Sequence, residues 1–376
     1  MRKSLLVAAA VVLVFVLALC FVRARHGLLK AGVRVGVILP LTGNASVYGK
    51  AIRNGIELAK DEPVVRGRPE VSLIYEDDQG LATQAVSAAY RLIDIEKVPV
   101  IIGGAMSSTA EAIIPICNTA HVVLISPTAT KPSLTHMGTY FLRLWPSDNY
   151  DGKVMADIAY QKLGIRRVSI LYVNVAYGVG ITQVFARDFE ALGGQIVSED
   201  GYPQGETDFR TYLAKIQREK PGAVYLPGYV AEIAQILKQA RELDLRVRFL
   251  GVNSLYDPKL IEIAGPAAEG AVFTYPTFDT KSRNPVVSTF VSRYRARYGT
   301  SPDAFAAQGY DSLSVLLKAI NSVGKERPTG PQVVAALHSL GRYSGASGSF
   351  SFDSYGDVER ELRLLIIRNG QFVPYQ

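Results

Sequence analysis

The sequence predicts an α/β protein built as two doubly wound parallel-sheet lobes, on three observations. From residue 33 onward, short runs of β-branched residues alternate with amphipathic stretches, as expected of strands buried on both faces and of helices that cover them. The alternation pauses around residue 145 and then resumes, which marks a crossing between two such units. A length of 376 residues, 48% of them hydrophobic, is more than one core of ordinary size holds.

Each element follows from its residues. "VRVGVILPL" is a strand, "VYGKAIRNGIELAKDE" a helix, "VSLIYEDD" a strand and "ATQAVSAAYRLIDIE" a helix. "VPVIIGG" then runs into a helix opened by Ser107, and "HVVLISP" follows as the next strand. After the pause over residues 128–149 come "GKVMADIAYQKLG", "RVSILYV", "GVGITQVFARDFEALG" and "QIVSEDGYP", followed by "DFRTYLAKIQREK", "AVYLPGY", "AEIAQILKQARELD" and "VRFLGV". A later helical pair, "PVVSTFVSRYRARYG" and "AFAAQGYDSLSVLLKAINSVG", and the helix "GPQVVAALHSL" precede a terminal hairpin of "YSGASGSFSFDSYGD" with "RELRLLIIRNGQFV".

Residues 4–22 are almost wholly apolar, with Arg2 and Lys3 before them and Arg23 and Arg25 after. Such a segment is either a secretory signal or a membrane anchor, so the remainder is expected outside the cytoplasm, in the periplasm or at the outer face of the membrane. "LALC" resembles a lipoprotein cleavage box at Cys20, although Leu19 stands where a small residue is expected. The other cysteine, Cys117, reads as a small buried hydrophobe, so no disulfide framework is expected. Much of the net charge of +7 belongs to the N-terminal region, and no basic stripe interleaved with aromatics marks a nucleic-acid partner.

Catalytic chemistry has little to build on. His26, His121, His136 and His338 stand far apart, no paired cysteines or HExxH occur, and neither a GxSxG elbow nor a Walker loop is present. "GVGITQ" lacks the third glycine of a dinucleotide loop. The protein is therefore not expected to be an enzyme or to need a metal or cofactor.

Doubly wound sheets bind ligands where loops leave the carboxyl ends of strands and enter helix N-termini. "IIGGAMSSTAEA" is such a place, offering the hydroxyls of Ser107 and Ser108 beside free helix N–H groups that suit an anion. One strand later, "LISPTATKPSLT" presents Ser126, Thr128 and Thr130, a second hydroxyl loop able to clamp the same carboxylate. Either motif alone also fits helix capping and turn formation.

Together with "FLRLWPSDNYDGKVMADIA", "LYVNVAYGVGITQVFARDFEALGGQIV", "ETDFRTYLAKIQREKPGAVYLPGY" and "FLGVNSLYDPKL", these stretches resemble the periplasmic leucine/isoleucine/valine-binding protein family, substrate-binding components of ABC importers. The resemblance implies a type I periplasmic-binding fold of two lobes joined by three crossings. Lobe 1 is expected over 31–148 plus 279–352 and lobe 2 over 149–278 plus 353–376, after a signal peptide or anchor over 1–30. It implies that a position matching Ser107 holds the ligand carboxylate with groups at Thr128 and Thr130. Tyr48, Tyr177 and Tyr229 match pocket aromatics, and Phe278 falls near another. A monomer is expected, carrying an amino acid or a related small carboxylate to a membrane permease. The alternative is the ligand-sensing domain of a regulatory or receptor system.

Asn253 departs from the family pattern. Members that bind α-amino acids commonly carry a carboxylate there for the ligand ammonium, and an uncompensated buried ammonium is costly. The expectation is a ligand without an α-ammonium, or one whose ammonium is held by Tyr229 and carbonyl oxygens, unless Asp77, Asp78, Glu206 or Asp311 reaches the cleft.

Overall fold

The computed structural model describes residues 32–62, 70–276, 278–325 and 328–375; the N-terminal apolar segment and Cys20 lie outside them. β1 (Val33–Leu39), β2 (Val71–Asp77), β3 (Val100–Gly103), β4 (Val123–Ser126) and β5 (Phe141–Arg143) form a wholly parallel sheet in the order β2-β1-β3-β4-β5. In β1 only Arg34 is exposed, because helices cover both faces of the sheet. α1 (Ser46–Lys60), α2 (Ala82–Tyr90) and α3 (Ser107–Thr119) follow β1, β2 and β3 respectively, the strand-helix alternation expected of parallel pairing.

Beyond β5 the chain enters α4 (Asp148–Asp157) and a second sheet. β6 (Arg167–Val173), β7 (Gln195–Tyr202), β8 (Ala223–Leu226), β9 (Arg248–Gly251) and β10 (Val272–Pro276) are parallel to one another, with α5 (Ala176–Ala191), α6 (Arg210–Glu219), α7 (Val230–Glu242) and α8 (Pro258–Ala264) between them. The chain then returns through α9 (Pro285–Tyr298), α10 (Ala304–Val323) and α11 (Gly330–Ser339), which pack on α1 and β4 of the first half. Among the described residues, no helix is long and apolar enough to cross a membrane.

The C-terminal region differs from the single hairpin expected. β11 (Tyr343–Gly345) pairs with β12 (Gly348–Phe350), while β13 (Leu362–Arg368) pairs with β14 (Gln371–Pro374), so each segment folds back on itself. The second turn is Asn369-Gly370, both at positive φ (52° and 66°), the backbone that a two-residue hairpin of the right twist requires. β13 also pairs antiparallel with β10, which makes the second sheet a mixed one in the order β14-β13-β10-β9-β8-β6-β7. β5 and β10 were not among the expected strands; β5 is only three residues long and lies within the expected pause.

α1 and α10 approach at backbone distance through Gly55 and Gly309. A Cβ at Gly309 would lie 2.1 Å from the Ile52 carbonyl oxygen, and one at Gly55 would lie 1.9 Å from that of Ala306. Gly309→Ala is therefore expected to force the helices apart and to destabilise the protein by about 1–3 kcal/mol, read as a lower midpoint in urea denaturation.

Candidate functional site

A small cavity opens between the two halves. Its walls are loops at the carboxyl ends of parallel strands: Ala105, Met106 and Ser107 after β3, Thr128 and Thr130 after β4, Tyr177 after β6, Tyr229 after β8, and Asn253 and Ser254 after β9. Tyr48, Trp145 and Phe305 complete the lining. No lining residue carries a formal charge. Helices α3, α5 and α7 begin at it, so partial positive charge from their N-termini is aimed at a neutral, aromatic-walled space.

Ser107 is the first residue of α3, held there by the bend at Gly104, whose φ of 62° suits glycine. A Cβ on Gly104 would meet Ala110 Cα at 2.8 Å, so this glycine serves the close packing of strand on helix. The Ser107 Oγ accepts the backbone N–H groups of Thr130 (3.2 Å) and Lys131 (3.1 Å). A hydroxyl has two lone pairs and one proton. With both lone pairs engaged, the proton is what Ser107 retains for a ligand, and its natural partner is an anionic oxygen.

The second hydroxyl loop is employed differently from the expectation. Ser126 Oγ donates to the Gly104 carbonyl (2.7 Å) and Thr128 Oγ1 to that of Ala105 (2.8 Å), so both brace the β3 bend. Thr130 Oγ1 donates to Asp148 Oδ2 at 2.7 Å, leaving its proton committed to a protein carboxylate. Arg143, fully buried, clamps both oxygens of Asp357 and donates to the Lys131 carbonyl (2.9 Å), which fixes the loop against the segment leading to β13.

The aromatic residues form one connected wall. Tyr48 lies 4.9 Å from Phe305 and 6.0 Å from Tyr229, Trp145 stacks on Phe305 at 5.0 Å, and Tyr177 stacks on Tyr229 at 5.8 Å. Tyr48 also bridges the halves, its Oη accepting the N–H of Val230 (3.0 Å) at the start of α7. The Tyr177 hydroxyl has no hydrogen-bond partner within the protein.

Of the expected site residues, Tyr48, Ser107, Thr128, Thr130, Tyr177, Tyr229 and Asn253 line this cavity, whereas Ser108 and Phe278 do not. Phe278 packs instead toward Phe290, 6.3 Å away. Trp145, Phe305, Met106 and Ser254 line it without having been singled out, because nothing in their sequence separates a pocket wall from core.

None of the four acids considered from the sequence lines the cleft. Asp77 accepts the N–H groups of Leu41 and Gln79, Asp78 that of Gly80, Glu206 those of Thr207 and Asp208, and Asp311 those of Ala346 and Ser347. Two unforeseen acids lie directly behind it in the first turn of α4, Asp148 at 0% and Asp151 at 4% exposure. Asp151 accepts a hydrogen bond from Thr274, while burial pushes it up to about 6. Burial, aided by the Asp151 charge, pushes Asp148 well above the ordinary carboxylate value, and its Oδ1 has no partner.

A carboxyl whose pKa is raised on folding contributes stability below its unfolded value, here 3.8, and that contribution is lost as pH rises through the folded value. Asp148→Asn is therefore expected to stabilise the ligand-free protein by about 1–3 kcal/mol at pH 8, with the gain vanishing near pH 4, as followed by chemical denaturation at the two pH values.

Comparison with known proteins agrees with this architecture. The family model described as periplasmic binding protein matches residues 32–371. A Leu/Ile/Val-binding protein homolog of Brucella abortus is 28% identical over 344 residues, covering 90% of this chain and 91% of the relative. The crystal structure of a leucine binding protein from Thermotoga maritima superposes with a TM-score of 0.86 at 35% identity, covering 92% of this chain and 98% of that one. A solute binding protein of an ABC transporter from Rhodopseudomonas palustris, in complex with 3,4-dihydroxybenzoic acid, gives a TM-score of 0.81 at 26% identity, covering 90% and 94%. The chain belongs to the periplasmic binding protein family, with the type I fold and the role of an extracytoplasmic solute-binding component of an ABC transporter.

Proposed function

We propose that the protein captures a small carboxylate-bearing solute with an apolar body between two lobes and delivers it, as a monomer, to its permease. The observation that carries this is the Ser107 Oγ, which accepts the Thr130 and Lys131 N–H groups and so keeps its proton for a ligand in the uncharged cavity it lines. The carboxylate sits at Ser107 and the first N–H groups of α3, with Ser108 contributing backbone rather than side chain. Tyr48, Trp145 and Phe305 pack the solute's apolar body, and Tyr177 and Tyr229 close over it from the other side. The lobes are residues 31–148 with 279–352 and residues 149–278 with 353–376. Contacts made to the ligand by both lobes at once favour the closed arrangement over an open one. Leucine and 3,4-dihydroxybenzoic acid, named for relatives, share an apolar body bearing a carboxylate, the combination this cavity matches. The N-terminal apolar segment directs the chain across the membrane and, if retained, holds it at the outer face.

Identification of the molecule that co-purifies with the folded protein, by native mass spectrometry, tests the ligand class: a small carboxylate supports it and a neutral sugar overturns it. A charge-assisted hydrogen bond contributes about 1.5–3 kcal/mol, so Ser107→Ala is expected to weaken binding of that carboxylate tenfold or more in calorimetry. Fractionation of cells expressing the full chain is expected to recover it outside the cytoplasm, in the membrane fraction where the segment is kept.

A further inference from the structure

The two glycines of "GVGITQ" have different employments near the start of α5. A Cβ at Gly178 would lie 2.0 Å from the Val173 carbonyl oxygen, so this glycine lets the helix pack against its own strand, β6. Gly180 is buried against the other half of the molecule. The three nearest atoms that a Cβ there would meet are Pro132 Cδ at 3.0 Å, Lys131 Cγ at 3.2 Å and Lys131 Cα at 3.8 Å, all in the loop that follows β4. That loop is pinned on every side. The Lys131 N–H donates to Ser107 Oγ, its carbonyl accepts from the buried Arg143, and its Nζ pairs with Glu111 on α3. Pro132 has a rigid ring and opens the short 3₁₀ turn Pro132–His136. α5 rests on α3 and on this turn. Tyr177, about one helical turn before Gly180, lines the cavity and stacks on Tyr229, so the approach of α5 to the loop decides how far that ring enters.

We propose that Gly180 is a positioning residue for ligand capture: its missing side chain sets how closely the second half seats on the loop at Lys131, and so how tightly the cavity closes. A side chain at 180 acts as a wedge between the halves. It holds Tyr177 back from a solute and raises the closed arrangement in energy relative to an open one, so the apparent affinity falls with the population of the closed form. The nearest atoms it would touch lie in the other half, and alanine favours a helix over glycine. Weaker binding is therefore expected together with undiminished stability of the ligand-free chain, a combination that a glycine needed only for folding does not give. This rests on the capture of a solute between two lobes proposed above.

The test compares the wild-type chain with Gly180→Ala and Gly180→Leu. Binding of leucine and of 3,4-dihydroxybenzoate is measured by calorimetry, and dissociation by stopped flow on the fluorescence of Trp145, the single tryptophan of the chain, which lines the cavity. Gly180→Ala is expected to weaken binding about threefold or more and Gly180→Leu about thirtyfold or more, through faster dissociation. Neither is expected to lower the urea midpoint of the ligand-free chain. Lys131→Ala removes the Cγ that the wedge meets and is expected to lessen the loss caused by Gly180→Leu, which a folding role for Gly180 does not predict. Unchanged binding in Gly180→Leu overturns the proposal, and so does a urea midpoint lowered by Gly180→Ala. Failure of both compounds to bind the wild-type chain counts against the solute class proposed above, and the contact is then tested without a solute. Gly180→Cys combined with Lys131→Cys brings two thiols within reach of each other and is expected to form a disulfide on oxidation with copper phenanthroline, seen as a shift in non-reducing gel mobility absent from either single variant. Formation of that disulfide supports the seating of α5 on the loop, and its absence overturns the proposal.

Discussion

Strand direction is the constraint on which the rest of this molecule depends. In a parallel sheet every strand releases its chain at the same edge, and the helix that follows presents its unsatisfied N–H groups there. The two sheets meet at those edges, so the segments after β3, β4, β6, β8 and β9 reach one cavity from five separate stretches of sequence. The lining owes its positive character to helix starts rather than to lysine or arginine. A site of that kind holds a carboxylate without burying a cationic side chain, whose desolvation would weigh against folding whenever the ligand is absent.

Much of the architecture was legible in the residues because burial on both faces leaves a simple mark. Strands such as "VRVGVIL" and "AVYL" are nearly continuous apolar runs, and the helices between them keep a 3.6-residue period. What escaped was short or decided by partners distant in sequence. β5 has three residues, too few for a period to show. The C-terminal region holds two hairpins where one was expected, although Asn369-Gly370 carries a turn signal.

The lining of the candidate cavity was legible in part, for related reasons. A hydroxyl at a helix start after a glycine-rich strand end suits an anion, which is the role proposed for Ser107. Whether a hydroxyl donates to ligand or to its own backbone is a matter of three-dimensional contact, so Thr128 and Thr130 could not be told apart from Ser107 by sequence. Asp148 and Asp151 in "PSDNYDG" look like ordinary first-turn acids that favour a helix N-terminus. Only the packing of β10 against α4, with Thr274 bonded to Asp151, shows them to be buried. Their burial without matching cations runs against stability, and residues kept at such a cost are characteristic of binding sites. Arg143 is a counterexample: equally buried, it is satisfied by Asp357, Thr135 and Lys131, and its work is to hold the loop at Lys131 in place.

The central claim is that Ser107 spends its acceptors on Thr130 and Lys131 so that its proton meets the ligand carboxylate. A crystal structure of the protein with its bound solute tests this most directly. The account predicts a carboxylate oxygen within about 3 Å of Ser107 Oγ, with the Thr130 and Lys131 N–H groups still directed at that hydroxyl. A solute whose carboxylate lies elsewhere in the cavity, with Ser107 Oγ turned away from it, would contradict the account.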